Sequence, residues 1–229
     1  MKSNDIIHNL IEKITSGEIP ISSRIPSESQ LAIKYQCNRH TIRKVISHLI
    51  ERAYLLKASG GSTFVNDFTH YKNNILFLSS LGDFFDPKDI RSDVNKLKII
   101  KASDKLSKLL HIEQDSKVWS IVRVRYIDSA PTHMEEIYMP YSLFPELTRK
   151  DCESSLLSYI ESQYDYKISH GIKNVSAIKL TNHECKLLAL PDESIVMQVE
   201  NTGYLTNGRV YEYSISKSRE NKFCYYCRR

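Results

Sequence analysis

Two arginines spaced two apart, Arg123 and Arg125, lie in the run Trp119-Ser-Ile-Val-Arg-Val-Arg-Tyr126. Its β-branched and aromatic residues alternate with the period of a strand. That alternation puts Trp119, Ile121, Arg123 and Arg125 on one face, and Val118, Val122, Val124 and Tyr126 on the other. Two guanidinium groups about 7 Å apart on a partly apolar face need anions, because burying an unpaired charge is costly. Glu135 or Glu136 on the following strand and Glu212 on the last one are protein candidates. A bound phosphate or carboxylate is the other candidate, since the guanidinium fork suits both. Two readings therefore stand side by side: a closed Arg–Glu network that fixes a sheet, and an anion site.

A second basic cluster lies near the N-terminus. Arg39, His40, Arg43, Lys44 and Ser47 share one side of a helical period, and Ile42, Val45, Ile46, Leu49 and Ala53 form the other. Asn38 is a good N-cap for this helix. About three residues before it ends a shorter helix, Ser27 to about Tyr35, opened by the capping box Ser27-Glu-Ser-Gln30. An earlier helix carries the stripe Ile6, Ile7, Leu10, Ile11 and Ile14 and stops at Gly17. After Tyr54, the run Leu55 to Val65 reads as two short strands around Gly60-Gly61, a wing. Helix, tight turn and basic helix is the arrangement that enters a major groove. A merely solvated charged face is the bland alternative, but cap, turn and wing all agree on the first reading. The charge agrees too: residues 1–70 carry +3 of the chain's net +5.

These three segments, Ile25-Pro-Ser-Glu-Ser-Gln-Leu-Ala32, Asn38-Arg-His-Thr-Ile-Arg43 and Gly60-Gly-Ser-Thr-Phe-Val65, resemble the winged helix-turn-helix of the GntR family of bacterial regulators over about residues 5–66. The resemblance implies DNA contacts from Ser27, Glu28, Arg39, His40, Thr41, Arg43 and Lys44, with Gly60 and Gly61 near the minor groove. One of Arg39 and Arg43 would read a guanine edge, where arginine bonds O6 and N7 together. Two departures stand out. Ser29 occupies a place where the family has arginine, and the wing reads Gly-Gly-Ser-Thr in place of Gly-x-Gly-Thr.

Beyond a polar bridge the chain repeats itself at an offset of 78. Lys108-Leu-Leu110 returns as Lys186-Leu-Leu188, Ser116-x-Val118 as Ser194-x-Val196, and Ile121 as Val199. Each copy begins with a capped helix, at Ser103 and at the box Thr181-x-x-Glu184, and continues into a hairpin. The first hairpin turns at Asp128-Ser-Ala-Pro131 and the second at Asn207-Gly208. Two helix-plus-hairpin units predict a mixed domain around an antiparallel sheet. The whole is an α+β chain: winged helix over 1–68, linker 69–75, and sensor domain 76–229.

Val122-Arg-Val-Arg125, Pro131 with Glu135, Leu143-Phe-Pro-Glu-Leu147, Ser155-Leu156 and Tyr211-Glu-Tyr213 resemble the UTRA effector-binding domain of the HutC branch, whose fold is like that of chorismate lyase. In members that sense sugar phosphates, strand arginines and neighbouring serines hold the phosphate while a glutamate orients hydroxyls. The resemblance thus implies an anion held by Ser80, Arg123, Arg125 and Ser155, with Glu135 and Glu212 facing hydroxyl or amine groups. Leu157 stands where an aromatic is frequent, and Leu81 where phenylalanine is expected. Other members sense amino-acid derivatives or fatty acids, and the run Asn-Arg-His-Thr also resembles a regulator of phosphonate use.

The expected protein is a homodimeric DNA-binding regulator, a repressor, acting on a palindromic operator under a small anionic metabolite. A dimer whose C-terminal domain only dimerises is the alternative. An enzyme is not expected, because the eight histidines stand in no motif with Ser, Cys or Asp. No cofactor or metal is implied: Cys224-Tyr-Tyr-Cys227 has no second Cys/His pair nearby. The five cysteines read as reduced thiols of a cytoplasmic chain. No apolar run approaches the ~20 residues of a membrane span.

Overall fold

The computed structural model describes residues 3–58, 61–67 and 87–219, in two compact units. The expected linker 69–75 lies outside the described residues, as do Gly60, Ser80, Leu81, Cys224 and Cys227.

The first unit contains α1 (Ser3–Thr15), α2 (Glu28–Lys34), α3 (Arg39–Glu51), β1 (Leu55–Lys57) and β2 (Thr63–Val65). Ile6, Leu10 and Ile14 of α1 meet Leu31 of α2 and Ile42, Val45, Ile46 and Leu49 of α3 in one core. Both sequence-marked caps form. Ser27 and Gln30 close the capping box on α2, and the Asn38 side chain accepts from the Thr41 amide. Ala53 is buried as expected but lies beyond the helix, at φ +60°. There the chain turns into β1, and the Asn66 side chain donates to the Ala53 carbonyl at 2.8 Å. The antiparallel β1–β2 pair gains a third partner, because Arg24 bridges to Phe64 just before α2.

The second unit is built on six antiparallel strands: β3 (Ile90–Lys101), β4 (Lys117–Ile127), β5 (Ala130–Pro140), β6 (Ile168–Lys179), β7 (Ile195–Leu205) and β8 (Val210–Ser218). Their order is β3-β4-β5-β8-β7-β6. The helices are α4 (Asp104–Leu110), α5 (Arg149–Glu153), α6 (Leu156–Gln163) and α7 (Asn182–Leu187). The repeat is deeper than its quoted residues suggest. β3 and β6 correspond at the same offset of 78 as α4 and α7, so each copy is strand, helix and hairpin. The copies join at β5–β8 and leave β3 and β6 as the outer strands.

The first hairpin is tighter than expected. Only Asp128 and Ser129 form its turn, both at positive φ, while Ala130 and Pro131 already belong to β5. Two positive-φ residues give the turn whose twist matches the flanking strands.

The alternation along β4 holds. On one face Val118 packs with Leu106 and Leu110 from α4, and Val122 with Cys185 and Leu188 at α7. On the other, Ile121 meets Phe144, Leu156 and Ile160, so α5 and α6 cover the face that carries the two arginines.

Candidate functional site

In the winged-helix unit, the α3 stripe Ile42, Val45, Ile46 and Leu49 is buried, so geometry turns Arg39, His40, Arg43, Lys44 and Ser47 to solvent. Thr41 is half-buried, and its hydroxyl donates to Asn38 at 2.9 Å. Arg43 is exposed yet has a protein partner: its Nη2 lies 3.2 Å from the Glu28 carboxylate at the start of α2. Ser27 spends its hydroxyl on the α2 cap. Ser27 and Glu28 therefore have structural work on this face in addition to any contact with nucleic acid. The wing closes through Ala58, whose amide donates to Ser62 at 2.9 Å, with Gly61 at φ +85°. That left-handed conformation is one glycine adopts without steric cost.

In the second unit, Arg123 and Arg125 are both buried, 4% and 7% exposed. Their environments differ sharply. Arg123 faces Glu135 in register across β4 and β5, and its Nε donates to that carboxylate at 2.6 Å. Its Nη1 donates to the carbonyls of Cys152 and Ser154, at 2.7 and 3.0 Å, where α5 ends. Arg123 thus ties the sheet to the α5–α6 turn. Ser155, the next residue, caps α6 by accepting from the Ser158 amide at 3.3 Å.

Arg125 faces Ser92 on β3 and His133 on β5. Its Nε is buried without a hydrogen-bond partner among the described residues, and so is the Ser92 hydroxyl. Buried donors are almost always satisfied, which makes a neighbouring orphaned pair a place where a ligand oxygen fits. Burial disfavours the Arg125 charge, nearby Glu135 favours it and Arg123 opposes it. Guanidinium does not deprotonate, so Arg125 keeps its charge at this buried position.

Burial raises the Glu135 carboxyl, but the charges of Arg123 and Arg125 outweigh burial and hold it at about 2. Glu136, the other candidate partner, lies 3.5 Å from Lys217, which also pairs with Glu184 of α7.

Glu212 lies further along the same sheet face. Its Oε1 accepts from Ser214 at 2.8 Å and from Asn201 at 3.1 Å. Burial pushes its carboxyl above the ordinary value despite those bonds. Three residues not singled out in the sequence join it. Asn201 leaves its Oδ1, and Tyr211 its hydroxyl, buried without a partner among the described residues. Lys173 of β6 faces Asn201 in register. Burial lowers its ammonium to about 8 against the pull of first Glu212 and then Glu135. The Tyr211 ring lies over Gly203, where a Cβ would meet it at 2.5 Å, so the glycine makes room for the phenol.

The missed residues carried one usable signal. Ile168 to Lys179 has apolar residues at 168, 172, 175 and 178, which is no strand period. The offset of 78 extended back to Ile90 pairs the two segments and would have placed Lys173 and Ser92 on outer strands.

The described face therefore has an anion-seeking end at Arg125 and Ser92. Its other end, at Glu212, Asn201 and Tyr211, is rich in hydrogen-bond acceptors. It presents no nucleophile set: Cys152 is buried, and burial pushes its thiol up to about 11.

Comparison with known proteins places both units. Residues 2–65 match the bacterial regulatory proteins of the gntR family, and residues 87–224 match the UTRA domain. The chain belongs to the GntR family. Among curated GntR relatives, the mannosyl-D-glycerate transport/metabolism system repressor MngR of Escherichia coli is 30% identical over 91% of this chain and 88% of its own. The regulator GmuR of Bacillus subtilis is 27% identical over 97% and 96%. The crystal structure of YydK, a possible transcriptional regulator from Bacillus subtilis, superposes with a TM-score of 0.82 over 100% of both chains, at 21% identity. This GntR chain is thus a DNA-binding transcriptional repressor with a UTRA effector domain, and its relatives are regulators, not enzymes. No helix among the described residues is long and apolar enough to cross a membrane.

Proposed function

We propose that a homodimer of this HutC-type repressor holds a palindromic operator and lets go when a sugar phosphate binds the UTRA domain. In this reading residues 1–68 contact DNA, 69–75 link, and 76–229 bind effector and dimerise. One recognition helix reads one half-site, which is why a two-fold protein suits a palindrome. Arg39, His40, Thr41, Arg43 and Lys44 enter the major groove, Ser27 and Glu28 support them, and Gly60–Gly61 meets the minor groove. Arg125, Arg123, Ser80 and Ser155 take the phosphate, while Glu135 and Glu212 orient the sugar.

The observation that carries the effector reading is the buried Nε of Arg125 beside the Ser92 hydroxyl, both without a hydrogen-bond partner among the described residues. A closed network would have satisfied both arginines, and only Arg123 fits that description. MngR is named for mannosyl-D-glycerate, a sugar derivative that bears a carboxylate. Effector binding shifts the dimer toward arrangements that DNA binds less well, so ligand and operator oppose each other by one coupling energy.

Isothermal calorimetry of the full chain with a panel of sugar phosphates tests the site. Binding of one compound, lost in Arg125→Ala, supports the reading. Binding that Arg125→Ala leaves unchanged overturns it, and no binding across the panel favours the domain that only dimerises.

A further inference from the structure

We propose that His133 is a further ligand-binding residue of the effector site, and that it takes up a proton when the anion binds. The inference rests on the anion site proposed above. It adds a residue that neither the strand pattern nor the family resemblance singles out.

A β-bulge positions the imidazole. Arg125 pairs with His133 and Tyr126 with Pro131, which leaves Thr132 as the extra residue of β5, directly beside Arg125. The Thr132 hydroxyl donates its one hydrogen to the Arg125 carbonyl at 3.1 Å. His133 Nδ1 lies 3.1 Å from the same hydroxyl oxygen. That oxygen has no second hydrogen to give, so Nδ1 carries one and donates it. A neutral imidazole with its hydrogen on Nδ1 has none on Nε2. His133 therefore becomes a donor to an anion through Nε2 only after binding a proton there.

The strand register sets its neighbours. Ser92 of β3, Arg125 of β4, His133 of β5 and Ser218 of β8 form one row across four strands. In that row lie the Arg125 Nε and the Ser92 hydroxyl, both without a partner among the described residues. The described charges on this face around His133 are Arg125 and Arg123 from β4 and Glu135 on its own strand. Arg219 lies exposed just beyond β8. Arg91 and Asp93 pair with each other on the opposite face of β3. Of the α5 charges, Asp151 closes the helix cap, Arg149 donates to the Val94 carbonyl, and Lys150 and Glu153 are exposed. Glu135 is bonded to Arg123, so the Arg125 cation directly across from His133 opposes a second positive charge there. An anion at Arg125 reverses that balance. Protonated His133 then adds a charge and a donor to the hold on a phosphoryl group.

Glucose 6-phosphate and inorganic sulfate are the probes, titrated calorimetrically into the full-length protein at about pH 7.5, above the ordinary histidine range. Repeating each titration in buffers of different ionisation enthalpy counts the protons taken up. Sulfate keeps its double charge under these conditions, so a proton gained on its binding belongs to the protein. Wild type is expected to take up part of a proton, to a limit of about one, for each anion bound. Its affinity should rise by up to about tenfold as pH falls from about 8 to 7. His133→Asn, whose amide can still donate to Thr132, should bind more weakly, with no uptake and a flat pH profile. Binding by wild type without proton uptake overturns the proposal, as does uptake that is unchanged in His133→Asn. If Arg125→Ala binds both probes as wild type does, or if wild type binds neither, the anion site is wrong and the role of His133 falls with it.

Discussion

Arg123 and Glu135 face each other in register across β4 and β5 and share a 2.6 Å hydrogen bond, while Arg125, two residues on, has a buried Nε that no described residue answers. The same strand thus carries one arginine whose Nε and Nη1 are met by protein groups and one whose Nε is met by none among the described residues. Identical residue types on one face have separated because only one of them meets a carboxylate and the carbonyls that end α5.

That division predicts opposite phenotypes. Arg123→Ala leaves Glu135 buried without its partner and frees the carbonyls of Cys152 and Ser154. Breaking a buried pair from one side costs about 3–5 kcal/mol, read as a lower midpoint in urea unfolding. Arg125→Ala removes a desolvated charge, so stability should hold or rise while the ligand response disappears. Equal destabilisation by both variants would contradict the assignment.

Acid sensitivity follows from Glu135. Its folded value near 2 lies below the ordinary 4.5, so its contribution is full above about pH 4.5 and is lost as pH falls toward 2. The size is of the order of 3 kcal/mol, at 1.36 kcal/mol per unit. Glu212 is shifted upward, so it binds its proton more tightly when folded and works against stability as pH rises past the ordinary carboxylate range. Urea unfolding between pH 5 and 2 should show wild type losing stability more steeply than Glu135→Gln. Parallel curves would remove Glu135 as the acid-labile group.

On the first unit, Arg43 lies against Glu28 across an exposed gap of 3.2 Å. An exposed pair of this kind contributes little to stability, up to about 1 kcal/mol. Arg43→Ala should weaken operator binding by about 1–3 kcal/mol and relax base preference at one position. Glu28→Gln should cause a smaller loss without changing which base is preferred. Electrophoretic mobility shifts on a set of single-base operator variants distinguish these outcomes, and intact preference in Arg43→Ala would misplace the recognition face.

Much of this was legible in the chain itself. The capped helices at Ser27, Asn38, Ser103 and Thr181 all form, because a cap is decided by three or four consecutive residues. The arginine face of β4 was legible because alternation is local. Lys173, Asn201 and Tyr211 were not, since they reach Glu212 through sheet pairing between distant segments and their own strands lack a clean period. The partition of Arg123 from Arg125 was equally hidden, because it depends on where α5 ends. Turn boundaries slipped for a related reason: Asp128 and Ser129 adopt positive φ, which let Ala130 and Pro131 join β5.

The central claim is that an anionic sugar ligand held at Arg125 controls DNA affinity. Fluorescence anisotropy tests it with a labelled duplex from upstream of the protein's own gene, titrated with sugar phosphates in wild type and in Arg125→Ala. The account predicts tight, sequence-dependent binding by both proteins and release by one sugar phosphate in wild type alone. Release that persists undiminished in Arg125→Ala, or specific binding that no sugar phosphate disturbs, would contradict it.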